Sequence, residues 1–235
     1  MRRYQGRVNA DILDGLAKLL APADAERRDG GAQAHVYRSA SECRRCHPVQ
    51  FQEWERSLHA LSHSEVVYDR YFIKASLESG QELEPFCGGC HTPLAVRAGT
   101  IPFKQPPRGP GDTTVSPIEG EGVQCEFCHS IVAVEATENA GFTLRPGPKL
   151  LGPLAEPASS EFHGTEEAEL YRQSEYCGTC HNVTHPTNGI VLEATFTEWK
   201  NSPWASEGVS CQDCHMTEGL FAKALRPGKA STEGP

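Results

Sequence analysis

Ten cysteines and ten histidines are the residues best equipped for chemistry in this chain, and half of the histidines stand in one fixed relation to the cysteines. The pentapeptide Cys-x-x-Cys-His occurs five times, as Cys43, Cys46 and His47, then Cys87, Cys90 and His91, then Cys125, Cys128 and His129. Cys177, Cys180 and His181 form the fourth copy, and Cys211, Cys214 and His215 the fifth. These copies use every cysteine. Two thiols at this spacing can each add across a vinyl group of haem, and a histidine directly behind them falls beneath the ring, where it binds iron. Zinc sites and disulfides also use paired cysteines, but neither requires a histidine behind every pair. Histidine is 10 of 235 residues, so five chance placements have a probability on the order of 10⁻⁷. Thioredoxin-like redox chemistry needs a βαβ frame, which the pattern lacks. Five covalently held haem c groups are expected, with these ten cysteines as attachment points and these five histidines as proximal iron ligands.

The other five histidines are His35, His59, His63, His163 and His185. Their number equals the number of second axial positions on five irons, and each is expected to fill one. His59 and His63 are four apart, so on a helix they share a face. Such a pair could hold zinc, but in so haem-dense a chain ligation of two neighbouring irons is the better reading. His35, in the N-terminal stretch, is the candidate for a ligand shared with a neighbouring subunit. Met216 directly follows His215 and cannot easily reach the far face of its own haem. Met1 is the only other methionine, so histidine–methionine coordination is not expected and the potentials should be low. Trp54, Trp199 and Trp204 are expected to pack on haem edges.

With 235 residues over five motifs, there are 47 residues for each haem, and only 38% of the chain is hydrophobic. The porphyrins must therefore supply much of the core, and folding should depend on their insertion. The 22 Gly and 17 Pro favour short helices joined by irregular segments. The expected class is mainly α with extensive irregular loops and little β, a haem-packed multihaem cytochrome c fold. Pro48 can open a helix, with Phe51, Trp54, Leu58 and Leu61 at helical spacing and Val67, Tyr71, Lys74 and Leu77 on a second. Thr92 to Gly122 and Gly141 to Pro157 read as proline- and glycine-rich connections, and Ile131 to Val134 as a short strand. Ser160 reads as a helix N-cap with His163 in the first turn, followed by a helical run from Glu166 to Ser174.

Residues 1–40 are expected to be an N-terminal arm, 41–225 a pentahaem domain and 226–235 a disordered tail. Within the domain, similar phrases around motifs 2 and 4 and around motifs 3 and 5 suggest duplicated haem-pair units over 86–130 and 176–216. A second echo joins Phe51-Gln-Glu-Trp-Glu-Arg-Ser57 to Phe196-Thr-Glu-Trp-Lys-Asn-Ser202. Asn9 to Leu20 reads as an amphipathic helix with Ile12, Leu16, Leu19 and Leu20 on one side. Asp11, Asp14 and Lys18 rule it out as the apolar core of a signal peptide. No apolar run is long enough for a membrane span. Haem attachment nevertheless implies a periplasmic or extracellular location. The formal charge of −9, made more acidic by haem propionates, argues against nucleic acid and anionic membranes and for a basic redox partner.

The phrases Glu-Trp-x-x-Ser-x-His-Ala around Trp54 and His59, Cys-Gly-x-Cys-His, and Gly-Val-x-Cys-x-x-Cys-His-Met resemble the multihaem family typified by the nitrifier tetrahaem cytochrome c. That family's type member accepts electrons from hydroxylamine oxidoreductase, and related extracellular cytochromes include some that polymerise into conductive filaments. The resemblance covers most of residues 41 to 216. It implies a mainly helical fold with haems in parallel and perpendicular pairs. The type member has four haems, so its haem order does not transfer to five motifs. The expected function is electron transfer to redox partner proteins through mostly bis-histidine haems, with self-association into a filament through a shared histidine as an extension. The alternative is a reductase of nitrogen or sulfur oxyanions with one five-coordinate haem. The Cys-x-x-Cys-Lys motif of pentahaem nitrite reductases is absent, which counts against that branch of the alternative.

Overall fold

Among the described residues, most helices open where the sequence supplies a proline or a side-chain cap, and only one exceeds eight residues. The structure, a computed structural model, describes residues 37–109, 112–155 and 160–216. Helix α1 (Ala40–Cys43) starts from Ser39, whose hydroxyl accepts from the Ser41 N–H at 3.2 Å. Pro48 opens α2 (Pro48–Glu55), as the sequence suggests. Ser57 caps α3 (Leu58–Leu61), and Glu65 caps α4 (Val66–Ser79) by accepting from the Val67 and Tyr68 N–H groups at 2.9 Å. Helix α4 stops at Gly80, with φ 62°, a left-handed position suited to glycine. Then come α5 (Glu84–His91), α6 (Pro93–Ala98) and, after an irregular stretch, α7 (Cys125–Cys128).

Among the described residues the strands fall between Ile131 and Glu193, in three two-stranded pairs. Strand β1 (Ile131–Val134) falls on the stretch expected to be extended and pairs antiparallel with β2 (Phe142–Leu144). Strand β3 (Lys149–Gly152) pairs in parallel with β4 (Gly164–Glu167). Helix α8 (Ser174–Gly178) follows a 3₁₀ turn over Glu169–Arg172, and β5 (Val183–Thr184) pairs antiparallel with β6 (Val191–Glu193). The described chain closes with α9 (Thr195–Lys200), α10 (Pro203–Ser206) and α11 (Cys211–His215).

Three local expectations are corrected. The single helical pattern from Phe51 to Leu61 is two helices, because the Ser57 N–H turns back to the Trp54 carbonyl at 2.9 Å and its side chain starts α3. The helix expected from Ser160 and Glu166 is instead a turn, a strand and a 3₁₀ segment, since Gly164 to Glu167 find their backbone partners on β3. In α4 the face named by Val67, Tyr71 and Leu77 lies outward, and Phe72 and Ser76 are buried. The Asn9–Leu20 helix, His35 and the 226–235 tail lie outside the described residues.

The apolar core is thin. One cluster joins Leu94, Phe127, Ile131 and Leu144, and a second joins Phe72, Ala95 and Ile101. Buried beside the second is Glu84, whose carboxylate accepts from the Ser76 hydroxyl at 2.5 Å, the Gln81 amide at 3.2 Å and the Phe103 N–H at 2.7 Å. This buried acceptor joins α4, α5 and the segment after α6. Glu84→Ala strands three donors, so it should cost about 3 kcal/mol, read as a lower denaturant midpoint at unchanged slope. Among the described residues no helix is long and apolar enough to cross a membrane.

Candidate haem sites

Each Cys-x-x-Cys-His sits on or beside one short helix, so a single turn brings both thiols and the imidazole to one place. The histidine N–H returns to the first cysteine's carbonyl at 2.8 Å in His47, 3.0 Å in His129 and 2.9 Å in His181. All ten thiols are free. The second cysteines of the first and fifth motifs, Cys46 and Cys214, are exposed, whereas the other eight are partly buried.

Thiols of different motifs meet. The thiols of Cys43 and Cys125, of Cys90 and Cys180, and of Cys177 and Cys211 lie close enough to shift one another's titration. Motif 1 thus adjoins motif 3, and motif 4 adjoins both motif 2 and motif 5. Burial pushes the Cys87 and Cys128 thiols up to about 11. The adjacent Cys177 thiol draws Cys211 down to about 6.

Two of the remaining histidines each face a motif histidine from another part of the chain. The ring centroids of His47 and His163 are 6.3 Å apart, and those of His59 and His181 are 5.9 Å apart. Two imidazoles on opposite sides of one metal ion, with metal–nitrogen bonds of about 2 Å, would hold their centroids about 6.3 Å apart. Burial, assisted by the facing imidazole, lowers the pKa of both His47 and His59. Both are therefore neutral at neutral pH, the form that offers a lone pair to a metal.

Other ring orientations are fixed from behind. Nδ1 of His129 bonds the Leu151 carbonyl at 2.5 Å, and Nδ1 of His91 the Ser62 carbonyl at 3.1 Å. A carbonyl can only accept, so the proton sits on Nδ1 and Nε2 is left with its lone pair. His163 is held in the same way by the Gly164 carbonyl at 3.0 Å. His63 meets the Thr92 hydroxyl at 2.9 Å, and His185 meets the Thr187 hydroxyl at 3.1 Å and its N–H at 3.3 Å. His59 and His63 do not share a helix face: α3 ends at Leu61, so His59 turns to His181 and His63 to Thr92. The free thiols, the neutral imidazoles and the two facing ring pairs fit haem c.

Several supporting residues carry no periodic signal and were not singled out by the sequence. Tyr171 and Tyr176 both donate to the Cys128 carbonyl, at 2.7 and 3.0 Å, and Tyr171 stacks on His129 with centroids 5.7 Å apart. Tyr68 stacks on His91 at 4.1 Å. Glu126, buried between the cysteines of motif 3, accepts from the Arg38 N–H at 2.5 Å and its guanidinium at 3.1 Å. Only Tyr176 had a cue, its place directly before Cys177. Trp54 and Trp199 are held through their indole N–H groups, by the Val123 and Val209 carbonyls at 2.9 Å.

A family model described as cytochrome c554 and c-prime matches residues 42–130. Among solved structures, a penta-heme cytochrome c552 from Thermochromatium tepidum is similar to this chain, with a TM-score of 0.58 and 22% sequence identity. The likeness covers 84% of this chain and 57% of that one, so this chain spans little more than half of its length. No curated protein matches. The chain has the fold of a multihaem cytochrome, and the two matches together support a multihaem c-type cytochrome with haem c as its cofactor.

Proposed function

We propose that this chain is an electron carrier holding five haem c groups, one on each Cys-x-x-Cys-His, with both axial positions of the irons filled by histidine. The observation that carries this reading is the pair of facing imidazoles, His47 with His163 and His59 with His181, at 6.3 and 5.9 Å. Haem c supplies one-electron chemistry at iron when bound. The protein's part is to close both faces of each ring, so that no substrate reaches the metal, and to seat the rings against one another. His163 serves the iron of motif 1, and His59 that of motif 4. His63, His185 and His35 are the candidates for the irons of motifs 2, 3 and 5. The meeting thiols support a contact order in which motif 1 adjoins motif 3, and motif 4 adjoins motifs 2 and 5. The exposed second cysteines of motifs 1 and 5 favour these two motifs as the places where electrons enter and leave. A basic redox partner suits the charge of −9, and a periplasmic or extracellular setting suits haem attachment.

Carbon monoxide tests the reading on dithionite-reduced protein whose haem content has been measured. The expected result is five haems per chain and no carbon monoxide shift. A shift equivalent to one haem in five would expose a vacant iron and turn the reading towards a reductase.

A further inference from the structure

Two parts of this chain are built to one plan. In each, a phenylalanine N–H donates to the carbonyl of a motif histidine, Phe51 to His47 at 3.0 Å and Phe196 to His181 at 2.9 Å. Three residues on, a tryptophan indole donates to a valine carbonyl two residues ahead of another motif: Trp54 to Val123 and Trp199 to Val209, both at 2.9 Å. Ser57 and Ser202 then close on the tryptophan carbonyls at 2.7 and 2.6 Å. A glycine in the left-handed region precedes each valine, Gly122 with φ 69° and Gly208 with φ 76°. Glu126 and Gln212, each directly after the first cysteine of the second motif, tie back to the segment ahead of the first motif. Glu126 accepts from Arg38, and Gln212 donates to the Tyr171 and Gln173 carbonyls at 3.3 and 2.8 Å. The first cysteines also touch in both parts, Cys43 with Cys125 and Cys177 with Cys211. Motifs 1 and 3 thus pair as motifs 4 and 5 do, in place of the 86–130 unit of motifs 2 and 3 that the sequence suggests. Motif 2 lies in an insertion, residues 60–122, where the second unit has only residues 205–208.

The units differ at one consequential position. Two residues past the closing serine stand His59 and Trp204. The Val123 N–H bonds the His59 carbonyl at 3.0 Å and the Val209 N–H bonds the Trp204 carbonyl at 2.9 Å, so the two residues occupy the same place. His59 there meets His181 of the other unit. Trp204 is 60% exposed, and among the described residues nothing lies within 4 Å of where a side chain on Gly208 would begin. Among the described residues, the face that a haem motif meets in the first unit carries no such neighbour in the second. A second copy of this chain is a poor match for it, since motif 1, the counterpart of motif 4, is already faced by His163. Residues 195–216 carry Glu198, Glu207 and Asp213 against Lys200, which favours a basic visitor.

We propose that the face around Trp204 docks a small, basic haem protein that exchanges electrons at motif 5, with the indole as the apolar anchor. A single electron passes to the partner's ferric haem, oxidising this chain by one equivalent, and no atom or proton moves. This rests on the electron-carrier reading above. Mitochondrial cytochrome c, small and basic, is the probe. Calorimetric titration of the two ferric proteins at low salt reads binding, and stopped-flow oxidation of the reduced chain reads transfer. Trp204→Ala should weaken binding about tenfold or more and slow transfer in step. Tyr71→Ala, an exposed aromatic on α4, should change neither. Should Trp204→Ala load haem poorly, Glu207→Lys on the exposed rim should weaken binding through charge alone. Wild-type binding by both Trp204→Ala and Glu207→Lys would overturn the proposal. So would a concentration-dependent dimer of the wild type that Trp204→Ala disperses, since that would make a second copy the occupant. The electron-carrier reading fails separately, if the reduced wild type does not pass electrons to cytochrome c or to ferricyanide.

Discussion

A chain with His59 replaced by alanine is expected to keep five haems and to gain one carbon monoxide-binding iron. The backbone at this position does not depend on the imidazole. The Ser57 hydroxyl caps α3, the Val123 N–H holds the His59 carbonyl at 3.0 Å, and Gly122 is packed so closely beneath that an added Cβ would lie 2.5 Å from that carbonyl. Removing the ring therefore vacates a place without moving its frame. Cys177, Cys180 and His181 would still hold the haem of motif 4, and the place left by His59 would admit carbon monoxide. Methionine is the informative second variant, because its unbranched thioether spans a similar reach. His59→Met should restore six-coordination and raise one of the five potentials by on the order of 0.1 V, since thioether sulfur favours the ferrous state. Spectroelectrochemical titration separates that one potential from the other four. If His59→Ala took up no carbon monoxide beyond the wild type, His59 would not be the ligand of any iron.

That pairing could not be reached from the sequence. Cys-x-x-Cys-His is legible because its chemistry is local: two thiols and an imidazole on one turn need only the right spacing. The helix starting at Pro48 and the strand at Ile131 are legible for the same reason. The partners of His47 and His181 are His163 and His59, more than a hundred residues away, and spacing says nothing about which distant segments meet. Helix α4 failed in another way. Val67, Tyr71 and Leu77 make a good apolar stripe, but so do Tyr68 and Phe72, and the stripe that is buried includes the polar Ser76. Ser76 can be inside because Glu84 accepts its hydroxyl proton, a tertiary fact invisible to periodicity. The polar run Gly164 to Glu167 reads as helix until β3 is there to take its backbone groups. The Phe-x-Glu-Trp echo, in contrast, had structural content, and the two indole hydrogen bonds of equal length are its physical expression.

Motifs 4 and 5 should respond very differently to the loss of their thiols. Cys177 touches Cys211 of motif 5, and Cys180 touches Cys90 of motif 2. Thr179, between them, accepts the Ala140 N–H at 2.7 Å on its carbonyl, and the His181 carbonyl accepts from Phe196. With His59 opposite His181, motif 4 is where the first unit, the inserted motif 2 and the second unit all meet. Its haem would then be packed from every side by neighbours that have little apolar core of their own. Among the described residues motif 5 adjoins only motif 4, and its Cys214 and His215 are exposed. Cys211→Ala with Cys214→Ala should therefore give a soluble chain with four haems and near-native circular dichroism. Cys177→Ala with Cys180→Ala should lower the yield of folded protein about tenfold or more, because a chain that folds around its cofactors loses the one that joins its parts. Pyridine haemochrome assays set against protein mass give the haem count for each. Equal yields for the two double variants would mean that no motif holds this central place, and that each haem stabilises only the helix to which it is attached.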